Sequence, residues 1–152
     1  MNIFLATDHR GYALKEKIKQ WLVEWGYECQ DFGANELNPD DDYPDFISQA
    51  AQAVSKDPEN SKAIILGGSG QGEAIVANKY KGVRAVVYYG GSEDIITLSR
   101  EHNNANVLAL GGVFVTEENA KKMVKLWLQT PFSQDERHAR RIGKITKIEE
   151  TL

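Results

Sequence analysis

Ala63-Ile64-Ile65-Leu66 runs straight into Gly67-Gly68-Ser69-Gly70-Gln71-Gly72-Glu73, and Ala74-Ile75-Val76-Ala77-Asn78-Lys79 follows. An apolar run of strand length, a glycine turn and a segment able to continue as helix make a strand-loop-helix unit. Glycines let the backbone take positive φ and let a ligand approach the amides closely, while the unpaired N–H groups of a helix start attract negative charge. The loop is therefore a candidate cradle for an oxyanion or a phosphate. Glu73 at its end is out of place in an anion cradle unless a base is needed there. The alternative is an ordinary tight turn with a solvated first-turn Glu favoured by the helix dipole.

The same alternation extends outward in both directions. Upstream, Ile3-Phe4-Leu5-Ala6 reads as a strand buried on both faces, and Thr7-Asp8-His9-Arg10-Gly11 places an acid and a titratable base at its carboxyl end. In open α/β sheets that edge binds ligands. Leu14, Ile18, Trp21, Leu22 and Trp25 keep helical spacing up to Gly26, a natural helix stop. A second strand over 27–32 leads to a polar loop, and Pro44 opens a helix carrying Phe46, Ile47, Ala50, Ala51 and Val54. Asp40, Asp41 and Asp42 lack the spacing of a calcium loop and have no histidine near them in sequence, so they read as solvated loop.

Downstream, 83–88 and 106–110 are further strands, Ser92 and Thr116 are candidate helix caps, and Thr130-Pro131 stops the helix that Thr116 starts. A last helix from Ser133 to about Glu150 carries Arg137 and Arg141 one turn apart, able to converge on one anion or simply to form a solvated basic face. Strands alternate with helices throughout. The expected fold is a single α/β domain over 1–152, a three-layer α/β/α sandwich around a Rossmann-like five-stranded parallel sheet. The pattern leaves the strand order open.

Composition bounds the function. The chain has 152 residues, 41% hydrophobic and 26% charged, with a net charge of -4, which argues against nucleic acid or an anionic membrane surface as partner. One cysteine, Cys29, allows neither an intrachain disulfide nor a cysteine metal cluster, and it reads as a packed strand residue. No signal-like or membrane-spanning stretch is present in the sequence, so a cytoplasmic location is expected. The loop lacks the Gly-Lys-Ser/Thr ending of a nucleotide P-loop and the G-x-G-x-x-G order with a following acid. No nucleotide cofactor and no metal is expected.

Taken together, Thr7 to Lys15, Asp42-Tyr43-Pro44, Gly67 to Glu73, Ala77-Asn78-Lys79, Arg100 to Asn106 and Arg137 to Ile142 resemble the type B ribose-5-phosphate isomerases and related hexose-phosphate isomerases. One branch of that family uses a cysteine just before the glycine loop as its base, the other a glutamate at its end. With Gly67 and Glu73 in those positions, the chain resembles the glutamate branch.

The resemblance implies an aldose–ketose isomerase acting on a phosphosugar without cofactor. It assigns the proton transfer to Glu73, stabilisation of the enediolate to Gly68, Ser69, Gly70, Gln71 and Gly72, and ring opening to His102 and Asp8. It places the phosphate at His9, Arg137 and Arg141, with Tyr43 and Asn103 among the substrate contacts. It also implies a homodimer, with the C-terminal helix at the interface and the site shared between chains, and leaves open whether dimers pair into a tetramer. Where the family usually has Gly-Gly-Arg after the fifth strand, this chain has Gly111-Gly112-Val113, so a phosphate contact is missing and Arg10 is the candidate substitute. Ribose 5-phosphate is the expected substrate. A hexose 6-phosphate such as allose or galactose 6-phosphate, or a non-catalytic sugar-phosphate or nucleotide-binding module, are the alternatives.

Overall fold

The computed structural model describes residues 1–152. Strands β1 (Asn2–Thr7), β2 (Cys29–Asp31), β3 (Ser61–Gly67), β4 (Ala85–Tyr88) and β5 (Val107–Gly111) form one parallel sheet in the order β2-β1-β3-β5-β4. Helices α1 (Tyr12–Glu24), α2 (Tyr43–Lys56), α3 (Gln71–Ala77), α4 (Asp94–Glu101), α5 (Glu117–Gln129) and α6 (Glu136–Glu150) complete the three layers. The expected elements are all present. The second and fourth strands are shorter than their apolar pattern, and the last helix starts at Glu136 rather than Ser133.

Local chemistry accounts for the boundaries. Thr116 caps α5 by accepting from the Asn119 amide at 3.1 Å, Pro44 sits in the first turn of α2, and Gly26 ends the α1 turn at φ +83°. Ser92 accepts from the Asp94 amide at 3.1 Å, though the helix itself starts at Asp94 with Glu93 as its cap residue.

The direction of each crossover fixes the face its helix covers, because parallel connections are right-handed. Steps to one side carry α2 and α3, whose Ile47, Ala50, Val54, Ala74 and Ala77 pack on Ala6, Ala63, Ile65, Val107 and Ala109. Steps back carry α1 and α4, which with α5 cover Ile3, Leu5, Ile64, Leu66, Leu108 and Leu110. Strand residues alternate between the two cores, as the pleat requires. Cys29 is half-buried on edge strand β2 and packs against the second of these cores. No helix is long and apolar enough to cross a membrane.

Helix α6 stands apart from both cores. Of its residues only His138 is buried, while Ile145 and Ile148 are 44% and 61% exposed. Its far end is tied to the body where Glu149 Oε2 accepts from the Gly82 amide at 3.0 Å.

One buried ion pair lies beneath the α1 face. Lys15 is wholly buried and donates to Asp31, which also accepts from the Gly33 amide at 2.9 Å and from Lys19 at 3.2 Å. Burial pushes the Asp31 carboxyl up, but the bonds from Lys15, the Gly33 amide and Lys19 outweigh it and hold the group below its ordinary 3.8. A depressed carboxylate stabilises the fold above its unfolded value, and that contribution is lost as pH falls from about 4 through the lower folded value. Asp31→Leu leaves the buried Lys15 ammonium with only the partly exposed Glu16 carboxylate at 2.8 Å and is expected to cost about 3 kcal/mol in urea unfolding. Lys15→Met should cost less, since Asp31 keeps Lys19 and the Gly33 amide. An Asp31→Leu stability that still falls with pH as steeply as wild type below about pH 4 would refute this account.

Candidate active site

The order of the sheet makes the crevice. From β1 the chain steps one way to β2, then crosses back over β1 to β3, so the loops after β1 and β3 part at their carboxyl ends. Those loops hold Asp8, His9 and Arg10 on one side and Gly67 to Glu73 on the other. Asp8 is 6% exposed, and its Oδ1 accepts from the Arg10 amide at 2.9 Å, capping a single 3-10 turn over His9–Gly11.

In the glycine loop, Gly70 has φ +77°, and a Cβ there would lie 3.0 Å from the Leu110 carbonyl carbon, so both conformation and space demand glycine. The amides of Gly68, Ser69 and Gly70 donate to no acceptor in the chain. Ser69 Oγ accepts from the Gln71 amide at 3.3 Å and keeps its own proton to donate. The loop is stapled to the end of β5 by Gly112 N to Gly67 O at 2.8 Å and Val113 N to Gly68 O at 3.1 Å. Tyr43 lies on Gly72: a Cβ there would be 2.8 Å from its hydroxyl oxygen.

Glu73 is 4% exposed in the first turn of α3 and folds back under the loop. A Cβ on Gly67 would sit 1.7 Å from Glu73 Oε1, so the carboxylate fills the space a side chain there would need. Burial raises the Glu73 carboxyl above its ordinary 4.5; the Asp8 charge adds to the rise and Glu73's own amide opposes it. A buried, poorly solvated carboxylate beside unpartnered donors has the chemistry to accept a proton next to an oxyanion.

The structure corrects the reading of Asp41 as solvated loop. Asp41 Oδ1 accepts from the His9 amide at 3.1 Å and lies 2.6 Å from His9 Nδ1, and its side chain is 8% exposed. Its one sequence clue is the acidic run ahead of Pro44, which carries no sign of a partner 32 residues away. Ligand-type atoms of Asp8, His9 and Asp41 all lie within 4.8 Å of one another. The close His9–Asp41 contact takes up two of those groups, so the cluster is an acid–imidazole pair beside a second carboxylate.

Arg10 reaches over the loop: its Cζ and Nη2 lie 3.6 Å from where a Gly68 Cβ would be, and it has no ion-pair partner. Val113, by contrast, is 56% exposed and offers no charge.

The remaining predicted residues lie elsewhere in the chain. Helix α4 runs back from the carboxyl edge, so His102 and Asn103 sit where β5 begins, at the opposite edge of the sheet. Arg100 fixes that turn, donating to Thr130 O at 3.1 Å, Asn104 Oδ1 at 3.0 Å and Ala105 O at 2.5 Å. Ser133 Oγ donates to Glu101 O at 2.7 Å, and the rings of His102 and His138 stack with centroids 4.0 Å apart. Burial, then the charges of His102, Arg137 and Arg141, push His138 down despite Asp135, and the stack brings the first turns of α6, which carry both arginines, against the turn that holds His102. The strand β3 between the two edges has 7 residues, about 20 Å at 3.3 Å per residue. One chain therefore brings together Asp8, His9, Arg10, Tyr43, Gly68, Ser69, Gly70, Gln71, Gly72 and Glu73, and separately His102, Asn103, Arg137 and Arg141.

This arrangement can be set beside known proteins. The Ribose/Galactose Isomerase family model matches residues 3–145. The chain belongs to that family. Ribose-5-phosphate isomerase B of Mycobacterium tuberculosis is 42% identical over 151 residues, 99% of this chain and 91% of the relative. The crystal structure of ribose-5-phosphate isomerase B from Mycoplasma genitalium with bound ribulose-5-phosphate superposes with a TM-score of 0.94 at 40% identity, covering 99% of this chain and 97% of that one. A type B ribose 5-phosphate isomerase from Trypanosoma cruzi gives 0.92 at 34% identity over 100% of both chains.

Two outcomes test whether Glu73 serves as a base. Glu73→Gln is expected to lower kcat by about 10²–10⁴-fold, as loss of a general base does, with substrate binding largely kept. Because burial raises the Glu73 carboxyl, the folded state loses stability as pH rises from 4.5 through the raised value. Glu73→Gln should accordingly melt higher than wild type at neutral pH. A variant with more than about a third of wild-type turnover, or one that melts lower, would contradict the assignment.

Proposed function

We propose that this chain interconverts ribose 5-phosphate and ribulose 5-phosphate at a site completed by a second copy of itself. The observation that carries the reading is the buried Glu73 held beneath unpartnered amides of Gly68, Ser69 and Gly70. The relatives' name supplies the substrate and favours a pentose over a hexose phosphate. A mere binding module would have no use for a desolvated base in its anion cradle.

The reaction follows from the groups present. Asp8 and His102 assist ring opening, one taking and one giving a proton. Glu73 takes the proton from carbon 2 of the open aldose, and the electron pair moves to the carbonyl oxygen to give an enediolate. The loop amides and the Ser69 hydroxyl face that developing charge, where fixed dipoles act with most effect. Glu73 then returns its proton to carbon 1 as a proton passes from oxygen 2 to oxygen 1, leaving the ketose. Gln71, Tyr43 and Asn103 hold the sugar hydroxyls. His9, Arg137 and Arg141 take the phosphate, and Arg10 stands in for the charge that Val113 lacks.

The two edges meet only between chains. His102, Asn103, Arg137 and Arg141 from one copy's amino-terminal edge are placed against the glycine loop of the other, and α6 covers its exposed Ile145 and Ile148 on the partner. The single domain over 1–152 is then half of a homodimer with two shared sites.

Mixing inactive variants tests this directly. Glu73→Gln and Arg141→Ala subunits, denatured and refolded together, form mixed dimers in which one site carries both defects and the other neither. About half of randomly paired dimers are mixed, so activity near a quarter of wild type is expected from two inactive parents, the geometry of an isologous pair. No recovery in dimers shown by mass to be mixed would refute the shared site. Solvent deuterium entering carbon 2 of ribose 5-phosphate tests the chemistry, and its absence would leave only binding. Arg10→Ala should raise KM several-fold with little change in kcat, the sign of a uniform binding contact; an unchanged KM would remove Arg10 from the site.

A further inference from the structure

We infer that Asp41 is a positioning residue that sets which ring nitrogen His9 shows to the ligand, and so builds the phosphate contact on the loop side of the site. The inference rests on the proposed placement of the substrate phosphate at His9.

Asp41 holds His9 twice through one oxygen. Its Oδ1 accepts from the His9 backbone amide at 3.1 Å and meets the ring Nδ1 at 2.6 Å. An ionised carboxylate only accepts, so Nδ1 carries the proton in this contact. The imidazole is thereby fixed as the tautomer whose Nε2 is directed away from Asp41, and its side chain is 25% exposed. The second oxygen of Asp41, Oδ2, is buried with no hydrogen-bond partner, which leaves His9 as the only group compensating this carboxylate. The groups facing the ring are Asp41 and Asp8, whose oxygens lie within 4.8 Å of the coordinating atoms of the cluster.

A phosphate offers acceptors only, so it binds at Nε2 when Nε2 carries a proton. With Nδ1–H already directed at Asp41, the ring then donates from both nitrogens and lies between two anions. The same logic orients histidines in metal sites and in hydrolase triads, where a carboxylate behind the ring fixes both its direction and its charge. Without Asp41 the ring is free to turn, and the site loses its aligned donor.

The three histidines of the chain make the test tractable. In long-range proton–nitrogen spectra at alkaline pH, with the His9 signals assigned from a His9→Asn variant, wild-type His9 should be the Nδ1–H tautomer. Asp41→Ala should convert it to Nε2–H and raise KM for ribose 5-phosphate roughly 10-fold, the usual scale for an outer-shell partner, with the loss falling on KM rather than kcat. Asp41→Asn, whose carbonyl still accepts, should keep the tautomer and show a smaller rise. It also stands in if Asp41→Ala fails to fold. Wild-type His9 in the Nε2–H form would overturn the inference, as would a KM unmoved by Asp41→Ala or equal rises in both variants. A wild-type chain without isomerase activity would instead sink the proposed function and leave the tautomer measurement standing by itself.

Discussion

Six residue pairs hold β1 against β3 in parallel register, from Asn2 with Ser61 to Thr7 with Leu66, and the Thr7 hydroxyl adds a bond to Leu66 O at 3.0 Å. That pairing ends both strands at the same height. Asp8 and Gly67 are the next residues along, so an acid-bearing turn and a glycine loop come to face each other across a crevice. The pairing is also where the sheet reverses its order, which keeps any third loop from filling the gap. Slippage of β1 by one residue would disturb the cores as well as the site, because Leu5 would turn to the α2 face while Ile64 stayed on the other.

Within the crevice, function and stability pull in opposite directions. Glu73 lies in the first turn of α3 with the loop folded over it, and that burial raises its basicity and disfavours its charged form. The fold tolerates this because Gly67 leaves the necessary space and the stapled ends of β3 and β5 keep the loop from opening. Strain of this kind is common where a group must react rather than rest.

The opposite edge is organised by hydrogen bonds instead of apolar contact. Arg100, 6% exposed and without a carboxylate, satisfies itself on two carbonyls and an amide oxygen, and so locks the turn from His102 to Ala105 onto the α5–α6 junction. Stacking of His102 on His138 then links that turn to α6. The helix carrying both arginines is thus held against the chain at both ends, by this stack and by the Glu149–Gly82 bond, while Ile145 and Ile148 face outward. An amphipathic helix with an uncovered apolar face calls for a partner surface.

Much of this was legible in the residues. The elements follow from apolar periodicity, caps such as Thr116 and Pro44 follow from local hydrogen bonding and φ preference, and the glycine loop ending in Glu73 announces its chemistry because a base in an anion cradle is chemically odd. The proposed roles of His102, Arg137 and Arg141 come from the family resemblance, since spacing could not supply them. What the tertiary structure decided is everything that depends on distant partners: the strand order, the burial that shifts Glu73, the placement of His102 at the edge away from Glu73, and the bond between Asp41 and His9. Parallel pairing joins strands separated by whole helices, so no local pattern carries its order. Asp41 looked solvated for the same reason. Three adjacent acids give no hint of which one turns inward, and only the folded loop, with its carboxylate shut away from water, makes the histidine its partner.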